Sequence, residues 1–230
     1  MQKLLKKSLI ALSTSLKVNY KSGKYMNLFK ALSVMLMTSA CAFAPMNSSK
    51  TARPLSDDQT MVDFGFSPFP YANLSKSVTN RVTVSGSVEQ QLFPLISGAI
   101  KYSFQDNRDG VSLATELGAS LGMGVVRSYA GFGGPIVSWK KGSFETYLYP
   151  KFNYVSFDKL ELSNADKNDL FINEVDPGSV TYLLTALGTT YWFKENIGLN
   201  IEAKHFTILS KPGEVKKDII PSIGMMIGFD

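Results

Sequence analysis

Residues 196–209, NIGLNIEAKHFTIL, set Ile197, Leu199, Ile201 and Ala203 on one side of an extended chain and Asn200, Glu202 and Lys204 on the other. A period of two marks a strand with one apolar and one polar face. Residues 218–229, DIIPSIGMMIGF, return the pattern, with Ile219, Ile223, Met225, Ile227 and Phe229 on one side and Ser222, Gly224 and Gly228 on the other. Together they read as a hairpin that closes the chain.

Much of the upstream sequence repeats this alternation. Arg81–Gln91 sets Val82, Val84 and Val88 against Thr83, Ser85 and Glu89, and Leu95–Gln105 sets Ile96, Ile100, Tyr102 and Phe104 against Ser97, Lys101 and Ser103. Val111–Val126 sets Leu113, Leu117 and Leu121 against Ser112, Glu116 and Ser120, and Gly134–Lys140 sets Val137 and Trp139 against Ser138 and Lys140. Ser143–Phe157 sets Phe144, Leu148, Phe152 and Tyr154 against Glu145, Tyr147, Lys151 and Asn153. In Ser179–Phe193 the apolar face is Val180, Tyr182, Leu184, Ala186 and Trp192, opposite Thr181, Thr185 and Thr189. With the last hairpin, eight strands are expected.

Eight antiparallel strands of about ten residues suit a small transmembrane β-barrel, apolar outside and polar within. Connections at 106–110, 141–142 and 194–196 are short, whereas those at 92–94, 127–133, 158–178 and 209–218 are mostly longer. Such asymmetry is expected of short periplasmic turns and long outer loops. Tyr102, Phe104, Trp139, Phe144, Tyr154, Tyr182, Trp192 and Phe229 fall near strand ends, as an interfacial girdle requires. A soluble barrel would carry its charge outside and its apolar face within. The expectation is therefore an eight-stranded antiparallel barrel over 81–230, monomeric, in a bacterial outer membrane.

The chain has 230 residues, a formal charge of +5 and a pI near 9.1. Seven of its 24 lysines and arginines lie in residues 1–40, which hold no acid. From Cys41 onward 17 bases face 19 acids, a net of −2. The basicity belongs to a targeting segment, which excludes a nucleic-acid partner. One cysteine and one histidine exclude an internal disulfide framework and a Cys/His metal cluster. No phosphate loop appears: Gly118, Gly122 and Gly124 sit in a strand pattern with no helix signal after them. No cofactor or metal is expected.

Residues 1–41 read as the targeting segment. Met26 opens a compact signal, with Lys30, the apolar run from Ala31 to Met37, then Thr38-Ser39-Ala40-Cys41, so Met26 is a candidate start. Ser39-Ala40-Cys41 resembles a bacterial lipobox, which implies a lipidated Cys41 as the mature N-terminus, sorted to the outer membrane. Ordinary cleavage after Ala42 remains the alternative. Residues 42–80, rich in serine, proline and aspartate, read as a polar periplasmic tether. Within it the aromatic stretch DFGFSPFPY (63–71) is open to three readings: a packed rim, a lumen plug or, most plainly, a short extra strand.

The expected inward face carries Glu89, Lys101, Glu116, Lys140, Glu145, Lys151, Glu202 and Lys204. An eight-stranded interior is just wide enough for side chains to fill it. Opposite charges there must pair. A filled lumen rather than an open pore follows, with a structural or outer-surface binding role. Asp158–Gly178, the longest outer loop, has acids at 158, 161, 166, 169, 174 and 176 against two lysines, and is the expected contact for cationic partners or weakly held divalent ions. Other expected partners are outer-membrane lipid and lipopolysaccharide, with the barrel-assembly machinery during insertion.

His205 and Thr207 share the lipid side of their strand. At His205-Phe206-Thr207 the chain resembles the lipid A deacylases, eight-stranded outer-membrane barrels with a His-x-Ser pair on the outer face. A Lys211-Pro212-Gly213-Glu214 run echoes that family's proline-glycine loop. The resemblance implies an alternative role as an ester hydrolase acting on lipid A, with His205 as general base, Thr207 as nucleophile in serine's place and Glu214 as orienting acid.

Overall fold

The computed structural model describes residues 44–47, 50–91, 94–105, 109–123, 127–158, 178–209 and 219–229. Ten strands follow one another in chain order: β1 (Thr60–Phe66), β2 (Pro70–Ser77), β3 (Val82–Gln90), β4 (Pro94–Ser103), β5 (Gly110–Gly122), β6 (Ser128–Lys141), β7 (Phe144–Phe157), β8 (Gly178–Lys194), β9 (Ile197–Ile208) and β10 (Ile219–Phe229). Each pairs antiparallel with its sequence neighbours, and β1 pairs with β10 to close the barrel, from Thr60↔Phe229 to Phe66↔Ile223. Closure leaves no free edge and satisfies the backbone inside the sheet, the condition for crossing a bilayer with strands.

The count is ten rather than the expected eight. The added pair, β1 and β2, comes from the stretch read as a tether. Phe64, Phe66 and Leu74 face outward from it, while Asp63, Tyr71 and Ser77 face the lumen. Of the three readings of residues 63–71, extra strand is the one observed, with a turn at 67–69. The expected loop at 127–133 is also strand: β6 begins at Ser128, and Gly131 and Gly133 pair with Tyr154 and Phe152. The β6–β7 ladder is interrupted between Gly133↔Phe152 and Val137↔Leu148. There Pro135 and Pro150, which have no N–H to donate, stand opposite each other.

One end of the barrel carries the connections at 78–81, 104–109, 142–143 and 195–196; we call it the turn end. The other carries 67–69, 91–93, 123–127, 158–177 and 209–218, and is the loop end. Both expected long loops lie there, with most of their residues outside those described.

The exterior is apolar around the whole circumference. Ile219 is 70%, Leu117 67%, Ile201 60% and Phe66 60% exposed. Among the described strand residues that face outward, the charged ones are lysines at or near the turn end: Lys76, Lys141 and Lys194. An unbroken apolar belt of this kind is far beyond what a soluble monomer exposes. It is the surface of a barrel built to sit in lipid.

The last hairpin has the expected phase. Ile201 faces outward opposite Ile223, and Asn200, Glu202 and Lys204 are buried in the lumen. β8 has the opposite phase to the one expected. Tyr182, Leu184, Ala186 and Trp192 point inward and are buried, while Leu187, Tyr191 and Phe193 face out among Thr181, Thr185 and Thr189. Two members of the expected girdle, Tyr182 and Trp192, are therefore lumen residues. The cause is what fills the lumen.

Candidate functional site

The lumen is occupied by the chain's own N-terminal segment. Ala44 packs at the loop end against Ala130, Val155, Tyr182 and Leu184. Ala52 packs nearer the turn end against Ala114, Ile136, Tyr149 and Ala186. Leu55 reaches the turn end, against Met61, Trp192 and Met226. The chain then leaves at the exposed Ser56–Asp58, turns through Asp58 at φ 59°, and enters β1 at Thr60. The described residues 44–47 and 50–55 thus lie in the barrel from one mouth to the other. Apolar residues of this segment need apolar partners, which explains why β8 turns its aromatic face inward.

A buried chain must also find partners for its N–H and C=O groups. The wall supplies them from charged side chains. Glu89 accepts hydrogen bonds from the N–H groups of Met46 (3.0 Å) and Asn47 (2.8 Å), and Ser138 accepts one from Ala52 (3.2 Å). Lys101 donates to the carbonyls of Thr51 (3.1 Å) and Arg53 (2.7 Å). Lys151 donates to the carbonyls of Pro45 and Asn47, and the Gln91 amide donates to that of Ala44. Glu89 and Ser138 hold the segment's donors, and Lys101, Lys151 and Gln91 hold its acceptors.

Seven of the eight expected inward charges are buried in the lumen, and Lys140 lies at the turn end with its ammonium 5.8 Å from the Trp192 ring centroid. Their pairing differs from a wall-to-wall scheme. Within the wall, Lys204 meets Glu202 at 2.7 Å. Two further ion pairs use residues of the segment: Lys50 meets Asp63 at 2.8 Å, and Arg53 meets Glu145 at 3.2 Å. Among the described residues the buried wall charges are five acids, Asp63, Glu89, Glu116, Glu145 and Glu202, against three lysines, Lys101, Lys151 and Lys204, a net of three minus five, or −2. The buried Lys50 and Arg53 bring the count to zero. The sequence reading missed both, because polar residues in an aperiodic stretch look like a tether.

Two further contacts fix the segment. Tyr71 hydrogen-bonds both Asp63 (3.1 Å) and Lys50, and a Cβ on the adjacent Gly224 would run into the Tyr71 hydroxyl and the Lys50 ammonium. Lys204 also donates to the Asn47 side-chain oxygen (2.8 Å) and to Ser67. Tyr147 donates to Glu202, across a space that Gly188 leaves open by having no side chain. Among the described residues no three His, Cys, Asp or Glu side chains are grouped to hold a metal ion.

On the outer wall, His205 and Thr207 lie toward the loop end of β9, half-buried, with His205 Nδ1 and Thr207 Oγ1 3.3 Å apart. His205 is paired with Thr185 of β8 and Ile219 of β10. Phe206 points the other way and stacks on Tyr182, ring centroids 4.3 Å apart. Among the described residues no ion pair reaches His205. Glu214 and Cys41 lie outside the described residues.

No family model and no curated protein matches the chain. Solved structures of outer-membrane proteins resemble it loosely. The N-terminal β-barrel domain of Pseudomonas aeruginosa OprF is 13% identical, with 76% of this chain and all of that one covered, at a TM-score of 0.40. The KdgM porin in complex with disordered oligogalacturonate is 10% identical, covering 75% of this chain and 99% of that one, at 0.37. The outer-membrane enzyme PagL is 9% identical, covering 74% and 98%, at 0.33. Likenesses this loose decide nothing about chemistry. The closed antiparallel sheet, lipid-facing exterior and polar interior of the chain itself are those of a bacterial outer-membrane β-barrel.

Proposed function

We propose that this chain is a non-conducting outer-membrane barrel, serving envelope structure or surface binding through its loop end, with the long loops facing outward. The observation that carries the reading is the placement of residues 44–47 and 50–55 in the lumen, held by wall charges at both donor and acceptor groups. A pore needs a continuous water path, and here a polypeptide occupies it. Reconstituted into planar bilayers, the full chain gives no steady conductance. A stable open-channel current from the intact protein contradicts the reading.

A second reading, ester hydrolysis of lipid A, is favoured by one observation: the 3.3 Å approach of His205 to Thr207 on the lipid-facing wall. A hydroxyl two residues from a histidine on one strand face can be activated by it, although the extra methyl of threonine crowds attack. Mass spectrometry of lipid A from cells expressing wild type or His205→Ala tests it. Under the primary reading both profiles equal the empty-vector control. An acyl chain lost with wild type and retained with His205→Ala establishes the hydrolase instead.

A further inference from the structure

The path of residues 44–55 fixes more than the filling of the lumen. The segment reaches the turn end at Leu55, where β1 begins, and reaches the loop end at Ala44, where the Gln91 side chain holds its carbonyl at 3.0 Å. Eleven residue steps of chain can span up to about 36–40 Å, enough to cross a hydrocarbon layer of about 30 Å. Phe229, at the far end of the described chain, pairs with Thr60 at the turn end. The two ends of the described chain therefore sit at opposite mouths.

We propose that residues before Ala44 are displayed on the cell surface: the polypeptide is threaded through its own barrel, so the N-terminal side emerges at the mouth that carries the long loops. The proposal rests on the outward placement of those loops given under the proposed function. Cys41 lies three residues before Ala44, within about 11 Å of chain. A lipid on Cys41 then enters the outer leaflet rather than the periplasmic one, and the segment acts as a tie between the surface anchor and β1. A peripheral tether predicts the reverse, with everything before β1 on the periplasmic side.

The threading carries its own means of crossing. Lys50 and Arg53 are the charges that would have to pass the membrane, and both are met inside the lumen by carboxylates, Asp63 and Glu145. The two plug cations offset the −2 of the described wall. Burial of a cation in this position costs least when its counter-charge is already fixed on the strand it passes. β1 follows the segment after a single turn at 56–59 and must pair with β10 for closure. The segment is thus enclosed when the first and last strands meet.

Three single-cysteine variants test this in the Cys41→Ser background, which removes the native cysteine together with any lipid on it: Phe43→Cys before the segment, Asp57→Cys in the turn-end loop and Asn164→Cys in the long loop. Each is first checked for heat-modifiable migration, so that unfolded variants are excluded, and then treated in intact cells with a membrane-impermeant maleimide. Phe43→Cys and Asn164→Cys are labelled in intact cells, and Asp57→Cys is labelled after the outer membrane is permeabilised. If Phe43→Cys is labelled after permeabilisation alone while Asn164→Cys is labelled in intact cells, the threading is wrong and the orientation stands. If neither is labelled in intact cells, surface display is overturned together with the outward placement of the loops. Should the Cys41→Ser background fail to reach the membrane, a short epitope inserted between Phe43 and Ala44 of the native chain, read by antibody on intact cells, gives the same two outcomes.

Discussion

Removing residues 44–55 turns a silent barrel into a pore that prefers cations. The deletion joins residue 43 to residue 56 and leaves all ten strands and the β1–β10 closure in place. An eight-stranded interior is just filled by its own side chains, and width grows with strand number. Ten strands that enclose a whole extended chain leave a water path once it is gone. The wall then presents five carboxylates and three lysines, so its fixed charge of −2 draws cations. Water entering the lumen solvates Asp63, Glu89 and Glu145, so the barrel still folds and keeps its heat-modifiable migration. Single-channel recording in planar bilayers checks this: steady openings with a reversal potential shifted toward the cation equilibrium potential, where the full chain is closed. Absence of current from a folded deletion variant contradicts the filled-lumen account. Anion preference contradicts the charge count.

The second large effect is a single substitution inside the plugged lumen. Lys50→Met leaves Asp63 buried with no counter-charge. The expected cost is about 3–5 kcal/mol, read as a lowered midpoint for urea unfolding in lipid vesicles. Asp63→Leu alone strands the Lys50 ammonium and costs a similar amount. In the double variant both charges are gone, and what remains is the Tyr71 hydroxyl without its two partners, a loss of about 1–3 kcal/mol. The double variant is therefore more stable than either single one. Additive losses in the cycle show that Lys50 and Asp63 do not face each other.

The barrel itself was legible because one face of each strand meets lipid. Period-two alternation located eight of the ten strands, and for the last hairpin it fixed which residues look inward. It failed where the interior departs from the polar rule. In β8 both faces are mixed: Tyr182, Leu184, Ala186 and Trp192 on one, Leu183, Leu187, Tyr191 and Phe193 with three threonines on the other. Choosing the lipid side needs knowledge that Ala44, Ala52 and Leu55 stand inside the barrel. Glycine hid the start of β6, since Gly131, Gly133 and Gly134 give no side-chain pattern. Pro68 and Pro70 hid the β1–β2 hairpin in the same way, by marking as linker what is a tight turn between short strands.

The lumen segment was the least legible part. A chain surrounded on all sides by wall side chains has no preferred face, so it carries no period to detect. Its signal lies elsewhere: in the excess of two carboxylates over lysines on the described inward wall. From the sequence the expected inward face balances at four acids and four lysines. Placing Asp63 on a strand gives an excess of one, and the second appears only with Lys140 at the turn end rather than buried. Such an imbalance asks for buried cations from some other part of the chain. His205 and Thr207 were placed on the outer wall correctly from parity alone, and their approach to 3.3 Å follows from that shared face.

Hydrogen exchange of the segment, followed by mass spectrometry on the refolded full-length barrel, tests the central claim most directly. The amides of Met46 and Asn47 donate to the buried Glu89 carboxylate and that of Ala52 to Ser138, inside a closed sheet. Peptides covering residues 44–55 are expected to exchange as slowly as those from β3 and β7, far below unstructured rates, and to speed up in Glu89→Ala while the strands do not. Exchange of residues 44–55 at the rate of a free peptide, with the strands protected, would show that the segment lies outside the lumen.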